Sequence, residues 1–211
     1  MIIKTLITGP FEVNNYLVID ENTNEAALID AGGDYQATKK LADANNSKIK
    51  YILNTHGHLD HIAGDEELQR NEEAKIFIHK DDEFFVSSLK QHLMLYGFPD
   101  YEVPVINEFI RDDQIINIGS LDFKVIHTPG HSPGSVCYLI ENHLFSGDTL
   151  FQDSVGRTDL PGGSYEVLKE SITRKLFGLS DDIIVYPGHG DATSIKHERE
   201  NNPFFGKKAN V

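Results

Sequence analysis

The chain has 211 residues, 39% of them apolar and 25% charged, with a formal net charge of −14 and a single cysteine. That length supports one sizeable core, the composition excludes extended disorder, and the acidity excludes a nucleic-acid partner, which needs clustered Lys and Arg. No run is long enough to cross a bilayer, MIIKTLITGPFEV lacks a cleavage site and reads as a strand, and one cysteine asks for no oxidising compartment, so a cytoplasmic protein is expected.

In chain order, MIIKTLIT, NNYLVID and EAALID are short strand-like runs. After the AGG turn, DYQATKKLADANN predicts a helix capped by Asp34. KIKYILNT is the next strand, and a helix is expected from near Asp60 through IAGDEELQRN. AKIFIH and a helical stretch from Asp81 towards Tyr96 complete the first half. QIINI, LDFKVIHT, SVCYLIEN and HLFSGD follow as strands, with Cys137 a small buried residue in the third. SYEVLKESITRKLFGL predicts a helix with Val167, Leu168, Ile172, Leu176 and Leu179 on one stripe. DIIVYPGHG is the last strand, and a short helix around HEREN closes the chain. With no linker or shift of composition between the halves, residues 1–211 read as one domain of two sheets packed face to face with helices outside.

Histidine and aspartate gather where these strands end. His56, His58, Asp60 and His61 follow YILNT, His131 follows FKVIHT, Asp148 follows HLFSG, and His189 follows IIVYPG. Glycine adjoins nearly every one, which suits tight backbone beside a site. In a helix His56 and His58 would point about 200° apart, so the first cluster needs a loop. Imidazole and carboxylate are zinc-type donors, and these seven suit two metals sharing a bridge. No cysteine is among them, which disfavours a closed structural site. His79, His92, His127, His143 and His197 show no partners in sequence and are expected to be structural or solvated.

THGHLDH, TPGHSPGS, FSGDTLF and YPGHG, in this order, resemble the metallo-β-lactamase superfamily over essentially the whole chain. The resemblance implies an α+β fold, a four-layer αββα sandwich with the metal site at one edge of the two sheets. It also implies two divalent ions, zinc being the expected one and iron or manganese acceptable. His56, His58 and His131 resemble the first ion's ligands; Asp60, His61 and His189 the second's; Asp148 the bridge. Asp30, in LIDAGG, resembles the aspartate that props the histidine loop. GDTLFQDSVGRTDLPGG and PGHGDATSIKHERENNPFF resemble the hydroxyacylglutathione hydrolase (glyoxalase II) group. The sequence ends at Val211, where long members continue into a helical domain, so the short form is expected.

That resemblance implies a thioesterase acting on S-2-hydroxyacylglutathione-type substrates, with Asp60 and Asp148 the carboxylates of the reacting centre. Two dications against two carboxylates leave a surplus that lowers the pKa of a bridging water from about 15.7 towards about 7. A thiolate, with a pKa near 8.5, leaves without a general acid. Arg157 is the candidate to meet a substrate carboxylate. FFVSSLKQHLMLYGFPDY reads as a pocket wall or a dimer contact, the chain being a monomer or homodimer. The alternatives are a mononuclear-iron persulfide dioxygenase, which shares a GRTD-like stretch, a lactonase or other ester hydrolase, and a non-enzymatic metal scaffold, which the complete donor set disfavours.

Overall fold

The computed structural model describes residues 1–97 and 101–209. The first sheet is built from β1 (Ile2–Thr8), β2 (Val13–Ile19), β3 (Glu25–Ile29), β4 (Lys48–Leu53), β5 (Lys75–His79) and β6 (Glu108–Ile110), neighbours in that order. The first three strands pair antiparallel and the rest parallel. Every residue of β2 is buried, because the second sheet covers one face and helices the other; strands so covered read as continuous apolar runs. Within this half lie α1 (Tyr35–Ala44), α2 (Leu59–Ile62), α3 (Asp65–Glu72), α4 (Glu83–Ser87) and α5 (Leu89–Tyr96).

The second half runs β7 (Ile115–Ile118), β8 (Leu121–His127), β9 (Val136–Ile140), β10 (His143–Gly147), the hairpin β11 (Leu150–Phe151) and β12 (Ser154–Val155), α6 (Tyr165–Glu170), β13 (Ile184–Pro187), β14 (Thr193–Ser194) and α7 (Ile195–Asn201). Its sheet has the order β14-β13-β10-β9-β8-β7. Between the sheets Tyr16, Val18, Ile29 and Leu53 pack on Phe123, Val125, Tyr138 and Phe145. Leu17, Leu28 and Ile52 meet Ala42 and Leu68 on one outer face, and Cys137, Leu144 and Val185 meet Leu168, Ile172 and Ile195 on the other. The layers are therefore αββα, as expected.

Three local departures have local causes. The helix expected from Asp60 is broken at Ala63–Gly64, because Gly64 donates to the Ala31 carbonyl at 2.7 Å and a Cβ there would meet Gly33 N at 2.9 Å. The stretch from Asp81 to Tyr96 begins as a 3-10 turn and then breaks at Ser88, whose amide bonds Phe84 O; residues 98–100 of the aromatic-rich stretch lie outside the described residues. Val167 is 40% exposed although Leu168, Ile172 and Leu176 are fully buried. The buried row steps by four from Leu168, and Val167 stands about 100° from it. After Glu170 that helix widens into a π-type turn over Ser171–Leu176.

Asp20, at the end of β2, ties the sheets together. It accepts from Ser120 N and Oγ in the β7–β8 turn at 2.8 and 2.9 Å, and from Asn22 N and Thr23 Oγ1. The Ser120 amide is the main cause that lowers its carboxyl to about 2, against an opposing push from burial. Because the folded pKa lies below the unfolded one, Asp20 contributes stability above about pH 4 that is lost as pH falls towards about 2. Asp20→Asn is expected to flatten the acid limb of denaturant stability over that window while leaving neutral-pH cooperativity unchanged, as measured by urea titration of metal-free protein.

Candidate metal centre

The donors assemble at one edge of the two sheets because β3, β4, β8, β10 and β13 all run out there. Asp30, just past β3 and 1% exposed, accepts from Thr55 N at 2.8 Å, Thr55 Oγ1 at 2.9 Å and His61 Nδ1 at 2.9 Å. The Thr55 hydroxyl proton is thereby used, so the 3.1 Å contact of His56 Nδ1 with Thr55 Oγ1 has the ring donating. His131 Nδ1 donates to the Arg157 carbonyl at 2.8 Å. These three rings therefore keep their Nδ1 protons and present bare Nε2 atoms. His58 contributes Nδ1, 2.9 Å from His131 Nε2.

His56, His58 and His131 bring donor atoms within 4.8 Å of one another, as do Asp60, His61 and His189, and His56, His61 and Asp148. Asp148 stands between the trios, its Oδ2 3.5 Å from His131 Nε2 and its Oδ1 3.5 Å from His61 Nε2. Asp60 Oδ2 is 3.3 Å from His189 Nε2 and 3.6 Å from His61 Nε2. Gly188 has no room for a side chain here: a Cβ would lie 2.3 Å from Asp148 Oδ1.

The electrostatics are those of a site short of cations. Burial would lower the His61 imidazole, but Asp30, Asp60 and Asp148 outweigh it and lift it to about 10. Burial, then His131 and His61, push His58 down to about 3, and burial with the same crowding holds His56 well below its ordinary value. Asp60 is lowered: burial would raise it, yet His61 and His189 prevail. His189 is raised as well, its burial outweighed by Asp60 and Asp148, so protons are favoured beside the aspartates and repelled at His56 and His58. His56 Nε2, His61 Nε2 and Asp148 Oδ1 are buried without a hydrogen-bond partner, a costly state that a divalent ion relieves. The donor set fits such ions.

Sequence reasoning missed Asp82. Fully buried, it accepts from Gly57 N at 2.8 Å, Ser132 Oγ at 2.7 Å and Gly134 N at 2.6 Å, so one carboxylate braces both histidine loops. Burial raises its pKa and those three bonds oppose the rise. Asn14 was missed too: its Nδ2 holds Pro187 O and Gly190 O at 3.1 and 2.8 Å, fixing the turn that carries His189. The remaining histidines do have partners, contrary to expectation. His79 and His127 stack at 4.1 Å, His127 Nε2 donates to Pro133 O, His143 Nδ1 meets Tyr186 OH at 3.1 Å, and His197 Nε2 lies 2.7 Å from Asp153 Oδ1. Apart from His127–Pro133, which are six positions apart, these pairs are brought together from 43 to 48 positions apart, which no local pattern displays.

A cavity of about 510 Å³ opens beside the donors, reached by His58, Asp60, His131, Asp148 and His189. Phe84, Phe85, His92, Leu95 and Tyr96 form one wall of it, and Phe151, Arg157 and Leu160 another. Arg157 itself is engaged by Asp159 through Nε and Nη2, at 2.8 and 2.7 Å, and both side chains are exposed.

Residues 8–189 match the family model of the metallo-beta-lactamase superfamily. The chain belongs to that superfamily. The hydroxyacylglutathione hydrolase GloC of Haemophilus influenzae is 34% identical, covering 99% of this chain and 100% of that protein. Among solved structures of the superfamily's fold, the BLEG-1 B3 metallo-beta-lactamase superposes with a TM-score of 0.90 at 35% identity, over 97% of this chain and 99% of that one. ETHE1 from Myxococcus xanthus gives 0.84 at 29%, over 99% and 86%. TTHA1623 in a di-iron-bound form gives 0.86 at 31%, over 95% and 99%. Within the superfamily's hydrolase frame, no helix among the described residues is long and apolar enough to cross a membrane.

Two outcomes are expected. Chelation lowers the melting temperature and added zinc, iron or manganese restores it, because an ion at a thousand times its Kd stabilises by about 4 kcal/mol; calorimetry with metal analysis reads this directly. Asp82→Ala strands two buried amides and a hydroxyl and costs about 3 kcal/mol or more, with metal content per chain falling alongside. Full metal content at wild-type stability would refute the bracing role.

Proposed function

We propose that the protein is a metal-dependent thioesterase of the hydroxyacylglutathione hydrolase kind, holding two ions, the first on His56, His58 and His131, the second on Asp60, His61 and His189, with Asp148 between them. The observation that carries this reading is the convergence of those seven donors, five of them lining one open cavity and three of their donor atoms buried and unpaired. Its likeness to GloC supports the thioester over other acyl compounds.

Ions bound there supply Lewis-acid polarisation of a carbonyl and acidify water for attack at neutral pH. The chain's own groups set the geometry. Asp30 and Thr55 hold the His61 and His56 rings so that Nε2 faces inward, and the Arg157 carbonyl does the same for His131. Asp60 and Asp148 carry the negative charge that balances part of the ions' charge, and neither is placed to act as a separate general acid. A thiolate needs none, because its pKa lies near 8.5. Phe85 packs its ring 4.8 Å from that of His58 and keeps that side of the site apolar. Arg157 is within the cavity wall and could exchange Asp159 for a substrate carboxylate.

Release of thiol from S-D-lactoylglutathione by protein reloaded with zinc, iron or manganese tests the reading. Turnover is expected to follow metal content and to fall at least about a hundredfold in His58→Ala. Absence of turnover with every metal would remove the thioesterase assignment and leave the donor cluster standing. Oxygen uptake with glutathione persulfide and a lactone and lactam panel would then separate the remaining chemistries.

A further inference from the structure

The cavity's floor and its mouth differ in kind. Donors line the floor, while Phe11, Phe84, Leu95, Tyr96, Leu160 and Pro161 surround the opening. Phe11 is 48% exposed, Phe84 63%, Leu95 75% and Tyr96 54%. Single exposed apolar side chains need no explanation, but a group of them rimming a cavity marks a surface that a ligand covers. Among the described residues lining the cavity, Arg157 brings the one permanent positive charge, and Asp159 already holds it through two hydrogen bonds. A glutathione handle carries two carboxylates and one ammonium, which need charge-assisted partners to leave water. The rim offers hydrocarbon instead, and the net charge of −14 adds no attraction for an anionic handle.

We infer that the thioesters this site prefers carry an apolar substituent on sulfur, an alkyl or arylalkyl thiol seated against Phe84, Leu95 and Tyr96, and that glutathione is not the handle the mouth is built for. The inference rests on the thioesterase reading and narrows it. The reaction is hydrolysis throughout: the acyl C–S bond breaks, a C–O bond forms from water, and carboxylate, thiol and any released proton account for every atom. Glutathione thioesters still react, because the acyl carbon meets the same floor, but they gain little binding from the rim.

The experiment holds the acyl group constant as lactoyl and varies the thiol among glutathione, N-acetylcysteamine and benzyl mercaptan, all alkyl thiols, on the metal-loaded full chain. The benzyl thioester is expected to exceed the glutathione thioester by about tenfold to a hundredfold in kcat/KM, since burying one aromatic ring contributes a gain of that order. In the double variant Phe84→Ser, Leu95→Ser, both exposed positions, the ratio of benzyl to N-acetylcysteamine kcat/KM is expected to collapse by about tenfold. A glutathione thioester that equals or outruns the benzyl one, or a ratio unmoved by the double variant, overturns the proposal and leaves the thioesterase reading intact. Failure of all three substrates with every metal overturns the thioesterase reading and this narrowing with it. Light scattering examines the competing occupant: a dimer that covers the rim and dissociates in the double variant would also overturn the proposal.

Discussion

The three hydrogen bonds accepted by the Asp30 carboxylate are the constraint on which the site depends. Asp30 sits at φ 58, a left-handed conformation that is uncommon outside glycine and is held where the surroundings over-determine it. The surroundings here are Thr55 and His61, together with the Ala31 amide on the His61 carbonyl and the Gly64 amide on the Ala31 carbonyl. One turn after β3 thus fixes the loop after β4, the tautomer of His61 and, through the Thr55 hydroxyl, that of His56. Asp82 does the corresponding work between the loops that carry His58 and His131. Two buried carboxylates, neither among the seven donors, thus set the tautomers of His61 and His56 and brace the loops that carry His58 and His131.

Those carboxylates can be buried because each acceptor oxygen is matched to a donor: amides, hydroxyls and, for Asp30, the His61 ring. The sheets supply the rigidity. β2, β3 and β4 are covered on both faces, so their ends cannot drift without opening the core, and the polar groups at those ends inherit that stiffness. Replacing either carboxylate leaves several buried donors unmatched at once, which is why their cost exceeds that of a single hydrogen bond.

Sequence alone displayed the elements that rest on periodicity and the donors that sit at strand ends. EAALI and KIKYIL read as strands because they are short, largely apolar runs bounded by turn residues, and HxHxDH read as a loop because a helix would point His56 and His58 about 200° apart. The break at Gly64 was not legible, since it comes from backbone packing against Ala31 and Gly33, some thirty residues earlier. Asp82 was hidden for the same reason. In KDDE it looks like one more acid at a helix start, and its partners lie 25, 50 and 52 residues away. Asn14 and Asn15 stood out only as polar residues in a strand that proves fully buried, and that contradiction was the available signal. The histidines outside the cluster looked solitary because their partners, Tyr186 for His143 and Asp153 for His197, are joined only by tertiary structure.

The site divides its labour along a physical line. Groups that must hold position to a fraction of an ångström stand on strand ends braced by buried carboxylates, where sheet rigidity is inherited at no further cost in ordering. Groups that line the outer part of the cavity stand on α4, α5 and the segment after β12, where Phe84, Leu95, Tyr96 and Arg157 are largely exposed. The exposed side chains of Phe84, Leu95 and Tyr96 donate to neither Asp30 nor Asp82, so exchanging them removes none of the bonds that brace the donors, although Phe85 and the Arg157 carbonyl in the same segments do touch His58 and His131. Chemistry and substrate choice are therefore mechanically separable. This chain's likenesses include a hydroxyacylglutathione hydrolase, a B3 metallo-beta-lactamase and a di-iron protein, so overall likeness by itself does not select a substrate. On the inference drawn above, the largely apolar mouth, and not the histidine cluster, is the part of this molecule that carries information about its substrate.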